Sequence, residues 1–269
     1  MKSSLLASSL ALAGICAVPA FAADAEVSID FKSAYVATGA TCLDGWVAQP
    51  NLWVGGMKAG ETEIPISFDV WGCLDLEGYD DYATDENGNE YKFKNNKHKR
   101  SFEEIDLEVC LDLGALWTPD EAFSWSISYV EYDYPGYDWN ADNLLVFAMG
   151  YDCWLNPSFK AKYRVGGDKD GMLEAGFEIG HSETIAEGTA VGDIGIGLTA
   201  DIWYVNYDDV DAKKDVLDSG LACADVTAKL TVGKCYAACT YVAQIDDDVL
   251  TDEAYDVEWI ASFGAAYGF

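Results

Sequence analysis

The stretch Ile64-Pro-Ile66-Ser-Phe68-Asp-Val70-Trp-Gly72-Cys-Leu74-Asp-Leu76 decides the fold class. Even positions are apolar or glycine, whereas Ser67, Asp69, Trp71, Cys73 and Asp75 form the other face. A strict period of two over this length describes a β-strand with one apolar and one mainly polar face. The pattern recurs on both sides. Ile105, Leu107, Val109, Leu111 and Leu113 alternate with Asp106, Glu108, Cys110 and Asp112, and Val27, Ile29 and Phe31 alternate with Ser28, Asp30 and Lys32. No segment of similar length keeps a helical 3.6-residue period. The chain reads as all-β.

Twelve segments carry the alternation: 26–38, 46–56, 62–77, 101–115, 122–133, 143–154, 157–165, 172–181, 191–206, 218–232, 235–245 and 254–269. Short connections fall at Met57–Glu61, Leu116–Glu121, Asn156 and Gly233-Lys234, with a middle-length one at 182–190. Gly39–Gly45, Gly78–Arg100, Asp133–Asp142, Tyr207–Leu217 and the acidic Asp246–Glu253 read as longer loops, and Gly166–Gly171 is hardly more than a turn. Long loops on one rim and short turns on the other predict a single up-and-down antiparallel barrel with both termini on the short-turn side. Residues 23–269 form that domain.

Residues 1–22 read differently. Lys2, the apolar run Leu10–Val18 and Ala20-Phe21-Ala22 have the layout of a cleavable secretory signal. At the other end, Tyr255, Val257, Trp259, Ala261, Phe263, Ala265, Tyr267 and Phe269 share one face. An apolar face carried to a terminal Phe resembles the last strand of barrels inserted into the Gram-negative outer membrane. Together these features place the expected protein in a bacterial outer membrane, in contact with lipid and lipopolysaccharide.

Composition narrows the function. The chain has 269 residues, 16 Lys+Arg against 47 Asp+Glu, and a net charge of −31. Such a surface repels nucleic-acid backbones. Aromatic content of 13%, with 25 Gly, fits a turn-rich β chain rather than a disordered acidic one. Cys42, Cys73, Cys110, Cys153, Cys223, Cys235 and Cys239 follow the signal; seven cysteines cannot all pair, and their spacing contains no matched zinc-type pairs. Cys235 and Cys239 fall on one strand face as small apolar side chains.

A family resemblance rests on particular runs. Ser33-Ala-Tyr35-Val-Ala-Thr-Gly39 followed by Gln49-Pro50 resembles the opening of the TorF-type porins. Val70-Trp71-Gly72 and Glu104-Ile105-Asp106-Leu107 resemble their second hairpin. The resemblance extends to about residue 115 and implies a barrel with a porin role.

With apolar faces toward lipid, the alternate positions line a lumen. The pore-lining candidates are Asp69, Asp75, Asp106, Glu108, Asp112, Glu174 and Glu178 against Lys160, Lys162 and Arg164. Asp30, Asp225, Lys32 and Lys229 share the inward register. The three bases are consecutive inward positions facing Glu174 and Glu178 on the next strand, which predicts either a cross-strand ladder or a transverse field. Trp53, Trp71 and Trp203 also point inward, while Trp117 and Tyr129 suit an interfacial belt.

Catalysis is not expected. His181 and Ser182 are adjacent on a strand and point to opposite faces, so one cannot activate the other. No cofactor is expected either. Acid-rich loops (Asp80, Asp81, Asp85–Glu90; Asn206–Asp211; Asp246–Asp248) offer oxygen ligands suited to calcium, or to bridging lipopolysaccharide through divalent ions. The basic run Lys92–Arg100 reads as a lipopolysaccharide contact or an inward-folded loop. The resulting expectation is a porin-like channel for small polar or cationic solutes, with a non-conducting structural or adhesive barrel as the alternative.

Overall fold

A computed structural model describes residues 23–59, 61–77, 82–84, 90–92, 102–117, 122–135, 140–167, 170–206, 219–252 and 254–269. The proposed signal, most of the loop holding Lys92–Arg100 and the acids at 80–89, and Asp208–Asp211 lie outside the described residues.

Twelve strands close into an antiparallel barrel. They are β1 (Asp24–Ala37), β2 (Ala40–Gly55), β3 (Ile66–Asp75), β4 (Phe102–Asp112), β5 (Phe123–Asp133) and β6 (Asp142–Tyr151), followed by β7 (Ser158–Gly166), β8 (Leu173–Thr189), β9 (Gly192–Asn206), β10 (Gly220–Val232), β11 (Cys235–Gln244) and β12 (Trp259–Gly268). Each strand pairs with its sequence neighbour, and β1 pairs with β12 from Glu26↔Gly268 to Lys32↔Ser262. Closure leaves no strand edge, so every barrel strand has ladder partners on both sides. The start of β1 and the end of β12 lie on the short-turn side, where Ala25 and Phe269 exchange backbone hydrogen bonds.

Register fixes the two faces. Phe68 opposes Val109, Val109 opposes Tyr129, and Tyr129 opposes Leu145, so these side chains share the outer face. Phe177, Leu198, Val226 and Phe263 continue it, and all are exposed. Exposed apolar side chains thus run around the outside of the closed barrel. Tyr129 is one of them and donates a hydrogen bond to Asn143 Oδ1 at 2.6 Å.

Three elements depart from the sequence expectation. Gly39–Gly45 is not a loop: β2 begins at Ala40, and Thr38 and Gly39 form a two-residue turn with φ of 51° and 82°. Positive φ at both central residues matches the twist of the hairpin, so pairing continues to the strand ends. The connection expected at 182–190 is largely strand, because β8 pairs with β9 as far as Thr189↔Gly192. The last strand begins at Trp259, and the residues before it fold over the barrel mouth. There the Thr41 N–H donates to Ala254 O at 2.8 Å, Thr41 Oγ1 accepts the N–H groups of Asp256 and Val257, and Tyr255 donates to Val242 O at 2.7 Å. These bonds turn Tyr255 and Val257 onto a buried apolar cluster instead of the outer wall.

Candidate functional site

The lumen is the candidate site, and its two ends differ. Toward the mouth, inward positions are apolar: Leu43 and Val47 on β2, Val130 on β5, Leu144 and Val146 on β6, Val205 on β9, Val242 on β11 and Ile260 on β12. They form three buried clusters. Val249 and Leu250 join the largest from the β11–β12 connection, and Gln244 Nε2 donates to Leu250 O at 2.6 Å. The packing is tight enough to require glycine at position 39. A Cβ there would stand 2.7 Å from Cys223 Cβ and 2.8 Å from Leu250 Cδ2.

A polar network threads the apolar clusters. Arg164, only 6% exposed, is ion-paired with Asp142 on the preceding strand and lies 3.8 Å from Glu174 on the following one. Its guanidinium lies 5.6 Å from the centroid of the Tyr132 ring. Glu174 also accepts a hydrogen bond from Thr38 Oγ1 at 2.9 Å, and Tyr35 donates to Glu104 Oε2 at 2.8 Å. Two carboxylates and an aromatic face offset the cost of burying this guanidinium, although its Nε is buried without a hydrogen-bond partner. The basic ladder therefore exists at its mouth end, yet the principal partner of Arg164 is Asp142 and not a β8 carboxylate.

The other expected residues all occupy inward registers. Asp69 opposes Trp53 and Glu108, and accepts a hydrogen bond from Asn51 Nδ2 at 3.2 Å. Asp75 is buried at the mouth end and accepts the Glu77 N–H at 2.9 Å. Asp106 opposes Trp71 and Tyr132, Glu108 opposes Val130, and Asp112 opposes Ser126. Lys162 opposes Glu174 and lies 5.3 Å from the Trp203 ring centroid. That indole covers Gly176, where a Cβ would meet it at 2.8 Å. Lys160 opposes Gly176, and Glu178 opposes Ser158, so neither extends the ladder.

Between the acids of β4 and the bases of β7, two strands present small or apolar groups inward. These are Ser126, Ser128 and Val130 on β5, with Leu144, Val146 and Ala148 on β6. Acidic and basic stripes thus face each other over a low wall. Toward the turns the lumen is solvated: Asp112, Lys160, Glu178, Ser182 and Lys229 are exposed. Beyond the basic stripe, Asp201 on β9 opposes Glu178 on one side and Asp225 on β10 on the other, and Asp201 and Asp225 each have one buried oxygen that lacks a hydrogen-bond partner.

Sequence reading missed Glu104, Asp142 and Asp201. Asp142 lies at a strand start, where alternation gives no face. The run Leu144-Leu145-Val146-Phe147 did carry a signal, since consecutive apolar residues mark a strand with two apolar faces, here the packed lumen and the exposed outer wall. At the mouth rim, the carboxylates of Asp246, Asp247 and Asp248 lie within 4.8 Å of one another, and Asp246 Oδ1 accepts the Asp248 N–H at 3.0 Å. Those oxygens form a donor set suited to a hard divalent cation.

No protein-family model matches the chain, and no curated protein matches it in sequence. Several solved structures share its general shape. A bacterial polysaccharide outer membrane secretin is 8% identical, with 92% of this chain and 98% of that one covered and a TM-score of 0.43. An outer membrane channel from Pseudomonas putida F1 is 10% identical, with 94% and 97% covered and a TM-score of 0.42. Salmonella typhi OmpF, in complex with daunomycin, is 8% identical, with 93% and 97% covered and a TM-score of 0.38. Similarity this distant adds nothing to the strand order, which by itself establishes the closed barrel.

Proposed function

We propose that the chain is exported by its first 22 residues, inserts in a bacterial outer membrane and acts as a porin-like channel for small polar or cationic solutes. The solvated turn-side lumen carries this reading. It exposes Asp112, Glu178 and Lys229 to water inside a wall whose outer face is apolar. Charged side chains kept in a lumen at membrane depth mark an aqueous path. Asp69, Asp106, Glu108, Asp201 and Asp225 make that path acid-rich, and the opposed Asp201 and Asp225 are neutralised most directly by a passing cation. Kinship with the TorF-type porins belongs to the same proposal. So do calcium at Asp246–Asp248 and divalent bridges from that rim to lipopolysaccharide phosphates.

Reversal potentials in planar bilayers under a salt gradient test the reading. The expected result is cation preference, stronger at low salt because the screening length grows from about 10 Å at 0.1 M to about 30 Å at 0.01 M. Replacing Asp106, Glu108 and Asp112 by their amides should weaken it. Anion preference in the unaltered barrel would assign control to Lys160, Lys162 and Arg164.

The packed mouth favours a second reading, a non-conducting structural or adhesive barrel. Leu144, Val205 and Val242, inward at the mouth, are almost completely buried. A folded barrel with no conductance, even after the β11–β12 connection is shortened, would select it.

A further inference from the structure

The outer wall of the β8–β9 hairpin carries a recess of about 420 Å³ near the turn-side rim. Its floor is apolar, built from the outward residues Ile179, Ile196, Leu198 and Ala200. The β6–β7 turn closes one edge, pinned by the Gly180 N–H, which donates to Leu155 O at 2.7 Å. The charged and aromatic groups of the lining gather at this edge. His181 Nδ1 lies 2.8 Å from Trp154 O, and Nε2 lies 3.1 Å from Glu183 Oε1. Both ring nitrogens face acceptors, an arrangement that the doubly protonated imidazole satisfies. The Trp154 ring, 69% exposed, stands 4.9 Å from the imidazole.

On the outward face of a membrane barrel the surrounding medium is lipid, and that settles the class of occupant. We propose that the recess holds one zwitterionic aminophospholipid of the turn-side leaflet. An acyl chain lies along Ile179, Ile196 and Leu198. The headgroup ammonium donates to Glu183 Oε2 and rests on the Trp154 face, while the phosphate sits beside the imidazole. An adjacent cation and anion on the wall thereby meet an adjacent anion and cation on the headgroup. An anionic headgroup without an amine leaves Glu183 unmatched, and a choline headgroup has no N–H to donate. The inference rests on the membrane reading of the barrel and is independent of whether the lumen conducts.

Native mass spectrometry tests it. The full barrel is released from micelles equilibrated with equal amounts of phosphatidylethanolamine, phosphatidylcholine and phosphatidylglycerol. One retained phosphatidylethanolamine is expected, preferred over phosphatidylglycerol by about tenfold, the effect of one charge-assisted hydrogen bond. Glu183→Gln and Trp154→Leu should each reduce that preference while heat-modifiable gel migration stays unchanged. Equal retention of the three lipids, or a preference that survives both substitutions, would overturn the assignment. A chain that remains in solution without detergent would instead overturn the membrane reading itself.

Discussion

At the mouth end of the lumen, Leu144, Val205 and Val242 are fully or almost fully buried, whereas Lys160, Glu178 and Lys229 nearer the turns reach water. Both sets occupy inward positions of the same twelve strands. Barrel closure alone therefore does not decide whether a lumen is dry or wet. The choice of inward side chain does. Apolar residues pack against each other and against Val249 and Leu250 from the β11–β12 connection; charged residues interleaved with Ala148 and Ser126 leave room for solvent. Two regions of one ladder thus divide the work, one holding the barrel rigid and the other offering a polar surface.

Substitutions at matched positions should break or sharpen this contrast. The largest effect is expected at Asp142→Ala, which leaves the buried Arg164 guanidinium with the longer Glu174 contact and the Tyr132 ring. Losing one partner of a buried pair costs about 4 kcal/mol, to be read from urea unfolding of the barrel in lipid vesicles. Leu144→Ala comes next. It removes a fully buried side chain from the mouth and should cost about 3 kcal/mol in the same assay. Glu178→Gln is expected to shift stability by less than about 0.5 kcal/mol, because its side chain is solvated and neither cross-strand neighbour, Ser158 or Asp201, forms an ion pair that the change would break. If Glu178→Gln cost as much as Leu144→Ala, the distinction between the two ends would fail.

The barrel, though not the contrast between its two ends, was legible in the sequence. Alternation gave the number of strands and their faces, because a one-residue slip would place every apolar side chain in the lumen. Asp69, Asp106, Glu108, Lys162 and Glu178 share the face opposite the exposed apolar wall. Length of pairing was less legible. The Thr38-Gly39 turn and the extended β8–β9 hairpin depend on backbone conformations that residue hydropathy does not encode. The mouth network was hidden for another reason: Asp142, Arg164 and Tyr132 come from three strands, and Glu104 meets Tyr35 across 69 residues of chain. The inward fold of Tyr255 and Val257 continues an alternating pattern and is distinguished from strand only by the bonds they make around Thr41 and Val242.

The protein's own cysteines measure the dry and wet ends directly. Cys73 and Cys223 point inward at the mouth and are fully buried, whereas Cys110 points inward toward the turns, opposite Ser128. The folded barrel is treated with a small, water-soluble thiol reagent, and modification at each cysteine is followed by mass spectrometry of peptides. Cys110 is expected to react while Cys73 and Cys223 stay protected, and Leu250→Ser should unmask Cys223 first. Reaction of Cys73 and Cys223 as fast as Cys110 in the unaltered barrel would contradict a packed mouth above a solvated lumen.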